Sequence, residues 1–278
     1  MTVMYTPEQL APWIKQTLEN PAPQYLIEHL LEPGGLYFVV GRPKLARKSL
    51  LAFQMGMCLA SGRALGPIKP TGQHRVLYLN LEGADKTTAS RFQSLEAGSG
   101  ITIEECSENF YISHLQRFVV DQGDYVKALI KTIYDLNIKV VFIDTWARAT
   151  TGDENSSKDM GHALRGVELI LETGVAVIAV HHVRKNKAES DWLDPDSDMR
   201  GSTALAGAYQ GIFSIKSKID DAGDNHLWLV AAGKSLEPEW YTLEWVTRKS
   251  AAKEYLSTKL VLEPCEPPAE DFKDKYIK

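Results

Sequence analysis

The 278-residue chain has little cysteine, no long apolar run, no internal repeat and no strong charge of either sign. Each absence excludes something. Cys58, Cys106 and Cys265 are odd in number, far apart and without a CxxC pair, so no disulfide framework is encoded and a reducing cytoplasm is the expected compartment. No apolar stretch has the length to cross a bilayer, and the N-terminus carries no apolar core behind basic residues, so neither a membrane span nor a secretion signal is expected. With 31 basic and 36 acidic residues the net charge is −5, which leaves no global basic field for nucleic acid or an acidic membrane. Contact with either would have to come from a local patch. The hydrophobic fraction of 44% is enough for one substantial core, at most two modest domains.

What is present is an alternation. Apolar, β-like runs occur at Leu36–Val40, Val76–Leu81, Phe110–Ser113, Val140–Ile143, Val175–Val180, Gly211–Ile215, Leu227–Ala231 and Tyr241–Trp245. Several lack polar alternation, as expected of strands covered on both faces. Helical stretches are expected at 7–20, Ser49–Ser61, Thr87–Leu95, Gly123–Leu136 and Met160–Glu172. Strands alternating with helices predict an α/β fold with a doubly wound, mostly parallel sheet and helices on both faces. The last three runs are joined by short connections, which predicts an antiparallel C-terminal edge. The proline-rich, charged segment from Leu262 onward reads as a flexible end.

Ligands of open α/β sheets bind beyond the carboxyl ends of the strands, so polar residues there carry the chemistry. The first run ends in GRPKLARKS, Gly41 to Ser49, directly before a helical stretch. That order fits a phosphate-binding loop, in which backbone N–H groups and a lysine cradle phosphates. The loop lacks a glycine before Lys48: Arg47 stands there, and six residues separate Gly41 from Lys48 where the usual motif has five. Either one residue is inserted after Pro43-Lys44, or the loop begins at Arg42 with both glycines replaced. The turn expected at Gly41 favours the insertion. The second run leads to Glu82, the fourth to Asp144 and the fifth to His181-His182. Lys48 suits phosphate neutralisation, Ser49 and Asp144 suit Mg²⁺, Glu82 suits the activation of water, and His182 suits a contact to the terminal phosphate.

The segments GRPK…KSLLA, VLYLNLEG, VVFIDTWAR, VIAVHHVRK and DMRGSTALAGA together resemble RecA-like P-loop ATPases, and within them the plasmid RepA-type hexameric replicative DNA helicases. The resemblance spans roughly residues 24–235. It implies ATP and Mg²⁺ as ligands, held by Gly41, Arg42, Pro43, Lys44, Arg47, Lys48, Ser49 and Leu50, with Ser49 and Asp144 at the metal. It implies Glu82 as catalytic base, His182 as γ-phosphate sensor, Arg200 as an arginine offered to a neighbouring subunit's nucleotide, and Lys234 as a second cation acting between subunits. A homo-oligomeric ring, with a hexamer favoured, and single-stranded DNA follow as expected partners.

Two loops would face the channel of such a ring: ARATTGDENSSKDMG after Asp144, and VRKNKAESDWLDPDSDM after the histidines. Arg184, Lys185 and Lys187 form a local basic cluster for DNA phosphates and Trp192 a stacking surface, although the second half of that loop is acidic. The expected organisation is an N-terminal helical segment at 1–34, which packs on a neighbouring subunit or on its own core, an ATPase domain at 35–262 and a tail at 263–278. Three readings stay open: a RepA-like helicase of a plasmid, phage or mobile element; a RecA-like DNA-dependent ATPase of recombination or regulation; and a nucleotide-binding protein without turnover.

Overall fold

The structure, a computed structural model, describes residues 6–19, 25–43, 45–113, 117–182, 203–219, 224–234, 236–250 and 255–268. Nine strands form one sheet in the order β3-β2-β4-β5-β1-β6-β7-β8-β9. They are β1 (Leu36–Gly41), β2 (Val76–Asn80), β3 (Phe110–Ser113), β4 (Val140–Asp144), β5 (Ala176–His182), β6 (Gly211–Ile219), β7 (Asn225–Gly233), β8 (Leu236–Lys249) and β9 (Tyr255–Pro264). The first six in chain order pair in parallel, and β6 to β9 form an antiparallel meander. The expected sheet is therefore present, including the antiparallel edge formed by β6, β7 and β8, with β6 parallel to β1 on its other side, and with one difference. A strand not expected from sequence, β9, closes that edge, and Leu262 within it is buried, where a flexible end was expected.

Alternation along the buried strands divides the core in two. Tyr37, Val39, Tyr78, Phe142, Ile178 and Val180 face the layer containing α2 (Lys48–Ser61) and α3 (Asp85–Ser99). Phe38, Val40, Leu79, Val141, Ile143 and Ala179 face α5 (Gly123–Leu136), α6 (Ser157–Leu171) and α7 (Thr203–Ala208). α2 is apolar all round and is buried from Leu51 through Ser61, because β8 and β9 contribute Tyr241, Leu243, Leu260 and Leu262 to the same core. α3 closes over this layer so tightly that a Cβ on Gly98 would overlap the Thr258 carbonyl of β9. α4 (Ile103–Cys106) is one short turn held by a capping box between Thr102 and Glu105. The N-terminal α1 (Pro7–Glu19) carries Leu10, Trp13 and Ile14 on one face at 46%, 38% and 42% exposure, an apolar stripe open to solvent.

α6 offers a paired test of this packing. A Cβ on Gly166 would overlap the Val120 carbonyl, whereas no described residue lies within 4 Å of the same position on Gly161. Gly166→Ala is expected to destabilise by about 2 kcal/mol or more, because a rigid backbone oxygen must move. Gly161→Ala on the same helix is expected to stabilise by up to ~1 kcal/mol through helix propensity. Urea midpoints of the two variants read the opposite signs.

Candidate nucleotide-binding site

Register brings the strand ends together. Asn80 pairs with Asp144, Asp144 with Val180, Gly41 with His182 and Gly41 with Ile215. The ends of β2, β4, β5 and β1 thus lie in one row, with α2 starting above them. Of the expected site residues, Gly41, Lys48, Asp144 and His182 meet here, with Glu82 just beyond β2.

The loop between β1 and α2 explains its own unusual spelling. Gly41 ends β1, and a Cβ there would come within 2.6 Å of the Ala46 Cβ and 3.1 Å of the Ile215 carbonyl oxygen. The first glycine is therefore needed where it stands, which supports an inserted residue over a loop starting at Arg42. Arg47 caps α2 with φ 48° and ψ 40°, the left-handed conformation that glycine adopts freely and arginine does at a cost. The missing second glycine thus left its backbone shape behind. The Arg47 guanidinium donates to Thr247 Oγ1 on β8 at 3.1 Å, away from the end of β5. Arg42 and Pro43 are exposed, Ser49 and Leu50 half-buried, and Lys44 lies outside the described residues.

Lys48 is buried, and its Nζ donates to the Gly41 carbonyl at 2.9 Å and lies 3.2 Å from His182 Nδ1. Burial pulls its pKa down to about 8, against the upward influence of Asp144 and Glu82. The half-buried His182 is also held below its ordinary value, first by burial and then by the Lys48 charge. Strand parity sends the two histidines to opposite faces of the sheet. His182 follows Val180 on the α2 face, while His181 is buried on the other face with its ring 5.9 Å from Phe38. Both belong to β5 itself, two residues beyond the expected strand end, because they pair with Val40 and Gly41.

Asp144 is 2% exposed. Burial pushes its pKa up, while the Tyr78 hydroxyl and then Ser49 pull it down. Its Oδ2 accepts from the Tyr78 hydroxyl at 2.8 Å, and its Oδ1 has no hydrogen-bond partner among the described residues. The peptide that follows, Asp144–Thr145, is cis. A buried carboxylate oxygen without a donor, next to the helix start carrying Ser49, fits a hard divalent cation. Ser49 and Asp144 would offer Mg²⁺ two protein oxygens. Glu82 is exposed, and its charge is felt by Lys48, Asp144 and His182.

Two contributors have no counterpart among the residues expected from sequence. Tyr78 reads there as one more core aromatic. Asn80 shapes the loop carrying Glu82: its Oδ1 accepts from the Gly83 N–H at 3.0 Å, and its Nδ2 donates to the Thr88 hydroxyl at 2.8 Å. An amide at the last position of an apolar strand was the available sign. Lys234 follows β7, whose Gly233 pairs with Gly211, and Gly211 in turn pairs with Tyr37 near the start of β1. It therefore lies at the opposite end of the sheet from Lys48, with Nζ donating to the Gly207 carbonyl at 3.0 Å. Arg184, Lys185, Lys187, Trp192 and Arg200 lie outside the described residues.

A strand, a tight loop, a buried lysine at the helix start and a buried aspartate two strands away in the same sheet have the layout of a P-loop ATPase with a RecA-like fold. Residues 6–188 match an AAA domain family, and the chain belongs to it. Two solved structures share the fold at 15% identity each. One is a KaiC-like protein from the hyperthermophilic archaeon Pyrococcus horikoshii OT3, with TM-score 0.57, covering 88% of this chain and 96% of that one. The other is a DnaB-like replicative helicase described with its interactions with primase, with TM-score 0.65, covering 92% of this chain and 68% of that one. No curated protein matches at the level of sequence. Among the described residues no helix is long and apolar enough to cross a membrane.

Proposed function

We propose that this chain hydrolyses ATP as a RepA-like ring helicase acting on DNA of a plasmid, phage or mobile element. The observation that carries the ATPase part is the row of strand ends, in which Asp144 and His182 share one face of the adjacent strands β4 and β5 and Lys48, at the start of α2, reaches His182. The unwinding part is supported by the similarity to the DnaB-like helicase over 92% of this chain.

In this reading Lys48 leaves the Gly41 carbonyl and His182 to lie against the β- and γ-phosphates. Ser49 and Asp144 would hold Mg²⁺, which would supply charge neutralisation to the phosphates. Glu82 takes the proton of a water whose oxygen attacks the γ-phosphorus, while the bond to the bridging oxygen of ADP breaks. His182, released by Lys48, contacts the γ-phosphate and transmits its loss to the segment that follows β5. Arg200 and Lys234 act on a neighbouring subunit's nucleotide. The place of Lys234 at the far end of the sheet supports this, since it is remote from its own Lys48. α1, with its open stripe of Leu10, Trp13 and Ile14, serves as the arm between subunits of a hexamer. Arg184, Lys185 and Lys187 touch single-stranded DNA.

A RecA-like ATPase without unwinding is the second reading, supported by the KaiC-like protein, 96% of which is covered. Turnover measured with and without single-stranded DNA, followed by strand displacement on a forked duplex, separates them. ATP turnover that rises with single-stranded DNA together with displacement is the expected result. Stimulation without displacement selects the second reading, and absence of turnover removes both.

A further inference from the structure

We propose that Tyr78 is a positioning residue that fixes the Asp144 carboxylate so that Oδ1 alone is presented to the cation. The proposal rests on the reading of Asp144 as a Mg²⁺ ligand. Strand alternation places Tyr78 and Asp144 on the same sheet face, with Tyr78 paired to Phe142 and Asn80 to Asp144 on the adjacent parallel strand. The phenol therefore has to reach diagonally, one step along β4, to meet the carboxylate. It does so at 2.8 Å, with Tyr78 at 0% and Asp144 at 2% exposure. A tyrosine hydroxyl in so dry a place needs a partner, and here that partner is one carboxylate oxygen while the other has none among the described residues.

The ring is not free to swing. It stacks on Phe53 at 4.1 Å and 9°, on Phe142 at 5.5 Å and 18°, and on Phe110 at 6.2 Å and 20°. Phe53 stands four residues after Ser49 on α2, hence on the same side of that helix. The helix that supplies the serine ligand thus also grips the ring that aims the aspartate. With Oδ2 engaged by a donor, the carboxylate cannot rotate to offer both oxygens, and Oδ1 keeps one orientation. A hydroxyl with this duty is a support behind a metal ligand, a group whose loss lowers metal affinity without removing any ligand.

Tyr78→Phe removes the hydroxyl and keeps the stacked ring. Binding of a fluorescent ATP analogue is measured in EDTA and then across a Mg²⁺ titration, with thermal melting as a check of folding and Asp144→Asn as the reference. The expected result is unchanged affinity in EDTA and a Mg²⁺ half-saturation raised about 10- to 100-fold. Half-saturation equal to the unmodified protein's, in a folded variant, overturns the role of Tyr78 while Asp144→Asn still loses its Mg²⁺ dependence. Equal weakening with and without Mg²⁺ also overturns it, because the ring's packing and not the hydroxyl would then matter. If Asp144→Asn itself keeps the Mg²⁺ dependence, the underlying assignment of the aspartate falls and the proposal with it.

Discussion

Lys48→Ala is expected to abolish ATP binding at working concentrations, weakening it by at least about 10²- to 10³-fold, as when one partner of a buried charge pair is removed. The reason lies in how the lysine is kept in the free protein. Its ammonium is buried against a carbonyl and a histidine, neither of which cancels a full charge, and burial pulls its pKa down to about 8. Triphosphate brings the missing negative charge. Two signs follow from the lowered pKa. Binding needs the charged form, so affinity should be level below pH 8 and fall as pH rises above it. For the ligand-free fold the sign is reversed. The unfolded lysine titrates near its ordinary value, so between about pH 8 and that value the unfolded state binds more protons, and stability rises with pH across that window. Lys48→Ala should lose this rise while leaving the fold at least as stable near neutrality. Calorimetric titration at pH 7 and 9, with melting curves alongside, reads all of these. An ATP affinity indifferent to the substitution would show that GRPKLARKS holds no phosphate.

Much of this site was legible because buried parallel strands appear as apolar runs with their polar residues at the ends. Gly41, Glu82, Asp144 and the histidine pair stood out for that reason, and α5 was delimited to the residue by its apolar spacing. What stayed hidden depends on side-chain direction or on contacts distant in sequence. His181 and His182 look equivalent until the pairing of β5 with β1 sends one to each face. Tyr78 looks like core packing until the register of β2 with β4 brings its hydroxyl to Asp144. Arg47 looks like damage to the motif, and only its backbone angles show that the turn kept the glycine's shape. β9 begins beyond a polar stretch and ends among prolines. It exists because β8 supplies an edge and α3 a glycine close enough to pack against it.

Glu82→Gln is expected to lower the rate of ATP turnover by about 10²- to 10⁴-fold while leaving nucleotide affinity unchanged. Glutamine keeps the size and the accepting oxygen of glutamate and loses the ability to take a proton from water. Glu82 is suited to that step by its placement. It is exposed, so a water reaches it, yet its charge is felt by Lys48, Asp144 and His182. It sits two residues beyond the strand end, on a loop whose shape is set by Asn80 through Gly83 and Thr88. The backbone under it is also tied to the end of β4, since the Leu81 N–H donates to the Asp144 carbonyl at 2.8 Å. The contrast among substitutions is therefore sharp. Lys48→Ala is expected to remove binding, Asp144→Asn to remove Mg²⁺ dependence, and Glu82→Gln to leave both and stop the chemistry. Single-turnover hydrolysis on saturated protein measures that last effect free of binding and release. Turnover reduced less than tenfold would take the base away from Glu82; equal losses in affinity and rate would make it a binding residue instead.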